Sequence, residues 1–350
     1  MERPIDDMQN CNFCKAVLML IIVLYHSGMF WTGKWFNAII PAESAPIIGM
    51  IVRWMATFHI YAFTLISGYV YYYVRYERGG YNDSKKFIKN KLNRLIIPYI
   101  SVAALWVIPM SSLFFDMDAT IIIRNYLLGI SPSQLWFLLM LFGVFAITYP
   151  LSNIFRKHPK VSVLIVAFIW ALGRCLARIM PDIFQIYISL QFIPFFYLGF
   201  ELRRNWGKFV NCNTKNCWLI GGLNLIVNIS CFVFIQIIPQ ISATNKIITT
   251  VLTLGVNISG SLMAFFLLLA IARTINWHTK FFNSLSKASY PIYLFHQQII
   301  YVVLYMFNGI MDPLILMMTA FIIATALSWG LSSAIAKIPI LRPIIGLKYV

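Results

Sequence analysis

Ten stretches of about 18 to 28 predominantly apolar residues recur along this 350-residue chain, at 15–32, 47–74, 93–115, 134–154, 161–180, 184–202, 217–238, 247–272, 289–307 and 313–336. Each is long enough to cross ~30 Å of hydrocarbon as a helix rising ~1.5 Å per residue. Backbone in lipid must satisfy its own N–H and C=O groups, so spanning segments become helices or closed barrels, and spans of this length are helical. The expected fold class is all-α: a polytopic integral membrane protein of about ten transmembrane helices, read as one domain over 1–350. Composition agrees, because 60% hydrophobic and 11% charged residues with a mean hydropathy of +0.77 do not describe a soluble domain. A secretory signal would show one short apolar region followed by polar sequence, so no cleaved signal is expected. The third and fifth boundaries are the least defined, since Pro109 interrupts one span and the turn near Pro181 is short.

Basic residues then orient the chain. Of 28 Lys and Arg, 22 fall on the amino-terminal arm, the carboxyl-terminal arm and every second connection, while Lys34, Arg124, Arg174, Arg178 and Lys246 fall on the other side and Arg53 lies within a span. The positive-inside rule puts both termini in the cytoplasm of a multi-pass cell-membrane protein. Basic loops facing anionic lipid account for the net charge of +17, so no nucleic-acid partner is expected. Cys11 and Cys14 form a C-x2-C pair without a matching second pair. Cys212 and Cys217 lie on the same side, but reduced cytosolic thiols are the simpler reading and no metal site is expected.

Ionisable groups inside spans are costly unless they act. His26 and His59 lie about 12 and 15 residues from the cytoplasmic side of antiparallel neighbours, so their depths nearly match. Lys15 and His26, eleven residues apart, share one helical stripe. Each histidine reads either as a reactive group or as a structural ring bonded to a carbonyl or tyrosine. All eleven acidic residues fall in loops or at span ends. Any partner of the histidines is therefore neutral, or an acid from the outer loop such as Asp116 or Asp118. The same scarcity argues against a proton-coupled transporter, which needs intramembrane carboxylates.

Lys85, Lys86, Lys89, Lys91 and Arg94 precede the third span at spacings of three and four where they are not adjacent or two apart. They make a cationic strip suited either to phosphate or to lipid anchoring, with Lys91 and Arg94 the better phosphate candidates. On the outer side, Arg174 and Arg178 share a helical face and suit an anionic acceptor or lipid headgroups. Trp136 and the group Tyr69, Tyr71, Tyr72 and Tyr73 read as sugar-stacking or interfacial aromatics.

These features together resemble the acyltransferase 3 family, integral membrane enzymes that typically O-acetylate cell-surface polysaccharides. Lys15 and His26 match its basic residue, ten intervening residues and histidine; FHIYAFTLISGYV from Phe58 matches its second-span motif with His59, Ser67 and Gly68. KLNRLIIPY, LWFLLMLF and KASYPIYLFHQ resemble three further motifs, the last supplying Ser289, Tyr293 and His296 as an additional candidate site. Two positions depart from the pattern: Asn12 stands where aspartate is common, and Lys91 where arginine is common.

The resemblance implies transfer of an acyl group, most simply acetyl, from acyl-coenzyme A to a hydroxyl of a surface glycan or its lipid-linked precursor. Coenzyme A then enters as donor substrate, with no bound cofactor. Neutral imidazole suits deprotonation of an alcohol near pH 7, which makes His26 the expected general base. Lys15, Ser27 or Arg94 are candidates to stabilise developing charge, and Lys91 and Arg94 to hold the donor's phosphates. A transporter or flippase of a lipid-linked saccharide is the alternative, in which histidines and outer arginines only bind.

Overall fold

The computed structural model describes residues 7–33, 38–209, 213–238 and 243–347. Most of these residues are helical with no strand among them, and nine helices are long and apolar enough to cross a membrane. In chain order the helices are α1 (Met8–Thr32), α2 (Pro46–Glu77), α3 (Ser84–Ser111), α4 (Ser133–Lys157), α5 (Pro159–Leu176), α6 (Ile183–Arg204), α7 (Thr214–Ile237), α8 (Thr244–Thr274), α9 (Lys280–Phe307) and α10 (Pro313–Lys337). The ninth expected span, 289–307, falls in α9, which is of spanning length but is not among the nine. It carries Ser284, Ser286, Ser289, His296, Gln297 and Gln298, and its middle is almost entirely buried. Its polarity faces protein rather than lipid.

The first helix is the hub. α1 packs against α2, α8, α9 and α10, while α5, α7 and α10 present most of their length outward. Exposed Leu, Ile, Val and Phe cover those outer helices, as a lipid-facing surface requires. Lys34 and Cys212 lie outside the described residues, as do Arg3 and Lys348. Cys11, Cys14 and Cys217 are buried together in an apolar cluster between α1, α2, α7 and α8.

Two glycines let α2 and α6 cross at backbone contact. A Cβ on Gly68 would collide with the carbonyl of Phe196, and one on Gly199 with the carbonyl of Leu65. Helices drawn together by van der Waals packing in lipid need such small residues.

α2 is broken. Regular helix runs Pro46–Met55 and resumes at His59, with a turn between. An interrupted helix at membrane depth survives only where protein supplies its polar partners. Here the turn keeps its own bonds, Thr57 N and Thr57 Oγ1 both donating to Trp54 O and Phe58 N to Met55 O, and Asn228 of α7 braces its side chains: Asn228 Oδ1 accepts from Trp54 Nε1 at 2.8 Å, and Nδ2 donates to Val256 O at 2.8 Å and to Thr57 Oγ1 at 3.3 Å. Gly260 of α8 passes close against Thr57 and Phe58. The break sets His59 at the start of a new helical segment.

α3 is wide rather than straight, with π-turns at Leu92–Ile96 and Ala103–Val107. Each lies just ahead of a proline, Pro98 or Pro109, whose missing N–H and bulky ring disturb the regular ladder. After α10, a 3-10 segment Pro339–Ile345 folds back onto α3 and ends at Gly346, whose φ of +70° favours glycine.

Candidate active site

Two cavities enter the helix bundle from opposite ends. The one at the end carrying α3's first turns has a volume of about 430 Å³ and is lined by Lys15, Lys91, Arg94 and Lys287, with no carboxylate among its described lining residues. Four cations converging without an acid leave a strong field for an anion. Lys91 is held by aromatics: its Nζ sits 3.5 Å from the centre of the Phe145 ring, with Tyr81 and Phe87 at 5.2 and 5.3 Å. Cation–π attraction of this kind partly replaces lost water. Arg94 is exposed, and its carbonyl accepts from Tyr290 Oη at 2.7 Å. Deeper in, the walls turn apolar with Met19, Ile22, Phe63 and Phe137.

The second cavity, about 1110 Å³, opens at the other end. Tyr25, His26, His59, Tyr61, Trp136 and Phe192 line it, with Tyr61 and Phe192 stacked at 4.8 Å and 8°. Amides of Asn125, Gln134, Gln185 and Gln297 add polar groups. A mixture of flat aromatic faces and amides suits a saccharide.

His26 lines the second cavity next to Tyr25, at its deep end along α1. Its Nδ1 is 2.6 Å from His296 Nε2, and the two rings stack with centres 4.9 Å apart. His296 Nδ1 lies 2.8 Å from the carbonyl of Tyr293. A carbonyl only accepts, so His296 carries its proton on Nδ1 and offers the Nε2 lone pair. His26 then donates from Nδ1, and its own lone pair resides on Nε2. The arrangement is that of a base oriented by a second group, with a neutral imidazole as the orienter. His59 instead donates from Nδ1 to Met55 O at 2.6 Å and lies against Tyr25, ring centres 4.4 Å apart and tilted by 37°. Among the described residues no group of three or more His, Cys, Asp or Glu forms a metal site.

The depth argument for His26 and His59 puts both on one cavity, yet the ring bonded to His26 is His296, 270 residues away in sequence. Lys15 lines the inner cavity, ~16 Å along α1 from His26, so it does not touch atoms held at the histidine. Ser27 Oγ donates to Val23 O at 2.9 Å and lines neither cavity. Lys91 and Arg94 share the inner cavity with Ser289 and Tyr293. Trp136 lines the outer one, whereas Arg174 and Arg178 line neither: Arg174 donates to Gln191 Oε1 at 3.2 Å and Arg178 is exposed. Both sit on α5 or the turn after it, a layer outside the cavity wall. Asp116 lines the outer cavity, while Asp118 caps a short helix by accepting from Ile121 N at 2.7 Å. Tyr69, Tyr71, Tyr72 and Tyr73 lie at the far end of α2 from Trp136, because ten or more residues of helix carry them ~15 Å or more beyond His59. Tyr71 lines the inner cavity instead.

A family model described as an acyltransferase domain, that of the acyltransferase 3 family, matches residues 9–334. The chain belongs to the acyltransferase 3 family. It is a membrane acyltransferase, and the match runs from the start of α1 nearly to the end of α10. No curated protein and no solved structure matches it.

Several residues of this acyltransferase's site escape sequence reasoning. Gln134 and Gln298 exchange amide hydrogen bonds at 2.8 and 3.2 Å, and Gln134 also donates to Leu294 O at 3.0 Å. Gln297 donates to Ser133 Oγ and Tyr301 Oη. Two consecutive glutamines inside a span were the available signal. The wall formed by Gly346 and Leu347 had none.

Proposed function

We propose that this acyltransferase moves an acyl group, acetyl in the simplest case, from acyl-coenzyme A to a hydroxyl of a cell-surface glycan or its lipid-linked precursor. The observation that carries this reading is the pair of opposed cavities, one cationic and one aromatic, separated at Tyr293, whose carbonyl holds the His296 that orients His26. Phosphates of coenzyme A suit Lys15, Lys91, Arg94 and Lys287. The ~16 Å from Lys15 to His26 compares with the reach of an extended pantetheine arm. Positive-inside orientation gives the cationic cavity to the cytoplasm, where coenzyme A is made, with both termini on that side of the cell membrane.

His26 Nε2 takes the proton of the acceptor hydroxyl as its oxygen bonds to the thioester carbonyl carbon. The tetrahedral intermediate collapses with cleavage of the C–S bond, and the leaving thiolate takes the proton from the imidazolium. His296 accepts from Nδ1 throughout and steadies the cation that forms between the two steps. Acyl transfer across the membrane then requires no free acyl intermediate in the hydrocarbon.

Purified protein should release thiol from acetyl-coenzyme A in a manner dependent on a glycan acceptor, and cells lacking the gene should lose an acetyl increment from the surface glycan by mass spectrometry. Saccharide movement across proteoliposomes without any acyl donor, and no thiol release, would make the protein a transporter instead.

A further inference from the structure

Tyr293 is the one side chain, among the described residues, that lines both cavities. Its hydroxyl donates to the backbone carbonyl of Gln134, at the first turn of α4. Its ring meets Phe137 edge-on at 5.7 Å and 69°, and lies 5.8 Å from the ring of His296. Its own carbonyl fixes the His296 proton. The ring is thus the partition between the chambers, pinned to α4 at its tip and to the histidine pair at its base. On the inner side it completes an apolar end wall with Met19, Ile22, Phe63 and Phe137.

We propose that Tyr293 is the residue that selects acyl chain length. This rests on the acyl-coenzyme A reading above. An acyl group arriving through the inner cavity meets the Tyr293–Phe137 edge before it reaches His26. A two-carbon group passes in the space beside the ring, and longer chains collide with a side chain that is anchored and so yields poorly. One methylene in a closed apolar pocket is worth about 10-fold or more in selectivity, so a partition of this kind discriminates over only a few carbons.

The test compares kcat/KM for acetyl-, butyryl- and hexanoyl-coenzyme A in the parent, Tyr293→Phe, Tyr293→Ala and Phe137→Ala proteins. The parent should favour acetyl over hexanoyl by about 10-fold or more. Tyr293→Ala should lower that ratio by about 10-fold, Phe137→Ala should lower it less, and Tyr293→Phe, which keeps the ring but loses its anchor, should lower it by less than Tyr293→Ala does. The ratio is read within one protein, so a general loss of activity does not imitate the result. Phe137→Ala carries the test if Tyr293→Ala does not fold. Parental turnover of hexanoyl-coenzyme A as fast as acetyl, or an unchanged ratio in both alanine variants, overturns the assignment while leaving the donor intact. No turnover of any acyl-coenzyme A by the parent refutes the donor itself and this inference with it.

Discussion

His296 stands to His26 as an orienting partner, 2.6 Å from Nδ1 and itself tied to the carbonyl of Tyr293. The order of protons along this row follows from its last member, which accepts only. His26→Ala should therefore cut kcat by on the order of 10² or more while donor binding persists. His296→Ala removes the orienter and should cost about 10 to 10²-fold, with His296→Gln recovering part of the loss through its amide acceptor. Steady-state thiol release, with size-exclusion profiles confirming folded protein, checks this. Parental turnover in a well-folded His26→Ala protein would end the catalytic reading.

Lys91 and Arg94 should separate by salt. Replacing either with glutamine is expected to raise the KM for acyl-coenzyme A by several-fold with kcat little changed, since ground-state binding is lost. Arg94 is exposed and its attraction is screened, so the penalty for Arg94→Gln should shrink at 0.5 M salt. Lys91 lies within its aromatic cage, and its penalty should persist. Equal salt dependence would show that both contacts are made in open water.

The crossing of α2 and α6 should tolerate no side chain at either glycine. Gly68→Ala and Gly199→Ala each force a methyl group into the partner's backbone, at a cost of about 1–3 kcal/mol or more. A lower thermal midpoint in detergent is the readout. Gly222, where an added Cβ meets nothing, is the control and should accept alanine without loss.

Orientation has its own test. A cysteine at Lys85 should react with an impermeant thiol reagent only after the membrane is opened, and one at Met117 should react in intact cells. The reverse pattern would put the cationic cavity outside and remove the proposed donor side.

Much of this architecture was readable because it is periodic. Apolar run length gave the spans, and helical rise gave the shared stripe of Lys15 and His26 and the matching depth of His26 and His59. What rise cannot give is which ring turns toward which. The pairing of His26 with His296 depends on how α1 and α9 rotate against each other, a property of packing distributed over both helices. The ~16 Å of rise between Lys15 and His26 was equally legible, whereas the cavity that opens at Lys15 was not. A shared face for Arg174 and Arg178 requires helix through both, but α5 ends at Leu176 and Arg178 falls in the turn after it, a stop that the apolar run does not mark. The fold-back of Pro339–Ile345 is irregular backbone and carries no period to detect.

Asn228 gives α7 an uneven sequence economy. Its described side chains are buried at three positions only, Cys217, Gly221 and Asn228, spaced four and seven apart along one face. The rest of the helix answers to lipid, which accepts nearly any apolar residue. A saturation library of α7 should therefore read as a barcode: near-free exchange among Leu, Ile, Val and Phe along most of its length, interrupted at those three positions. At Asn228 the constraint comes from the turn in another helix, α2, whose Trp54 indole loses its acceptor and whose Thr57 hydroxyl loses a donor when the amide is gone. A helix that lines neither cavity thus holds a veto over the position of His59.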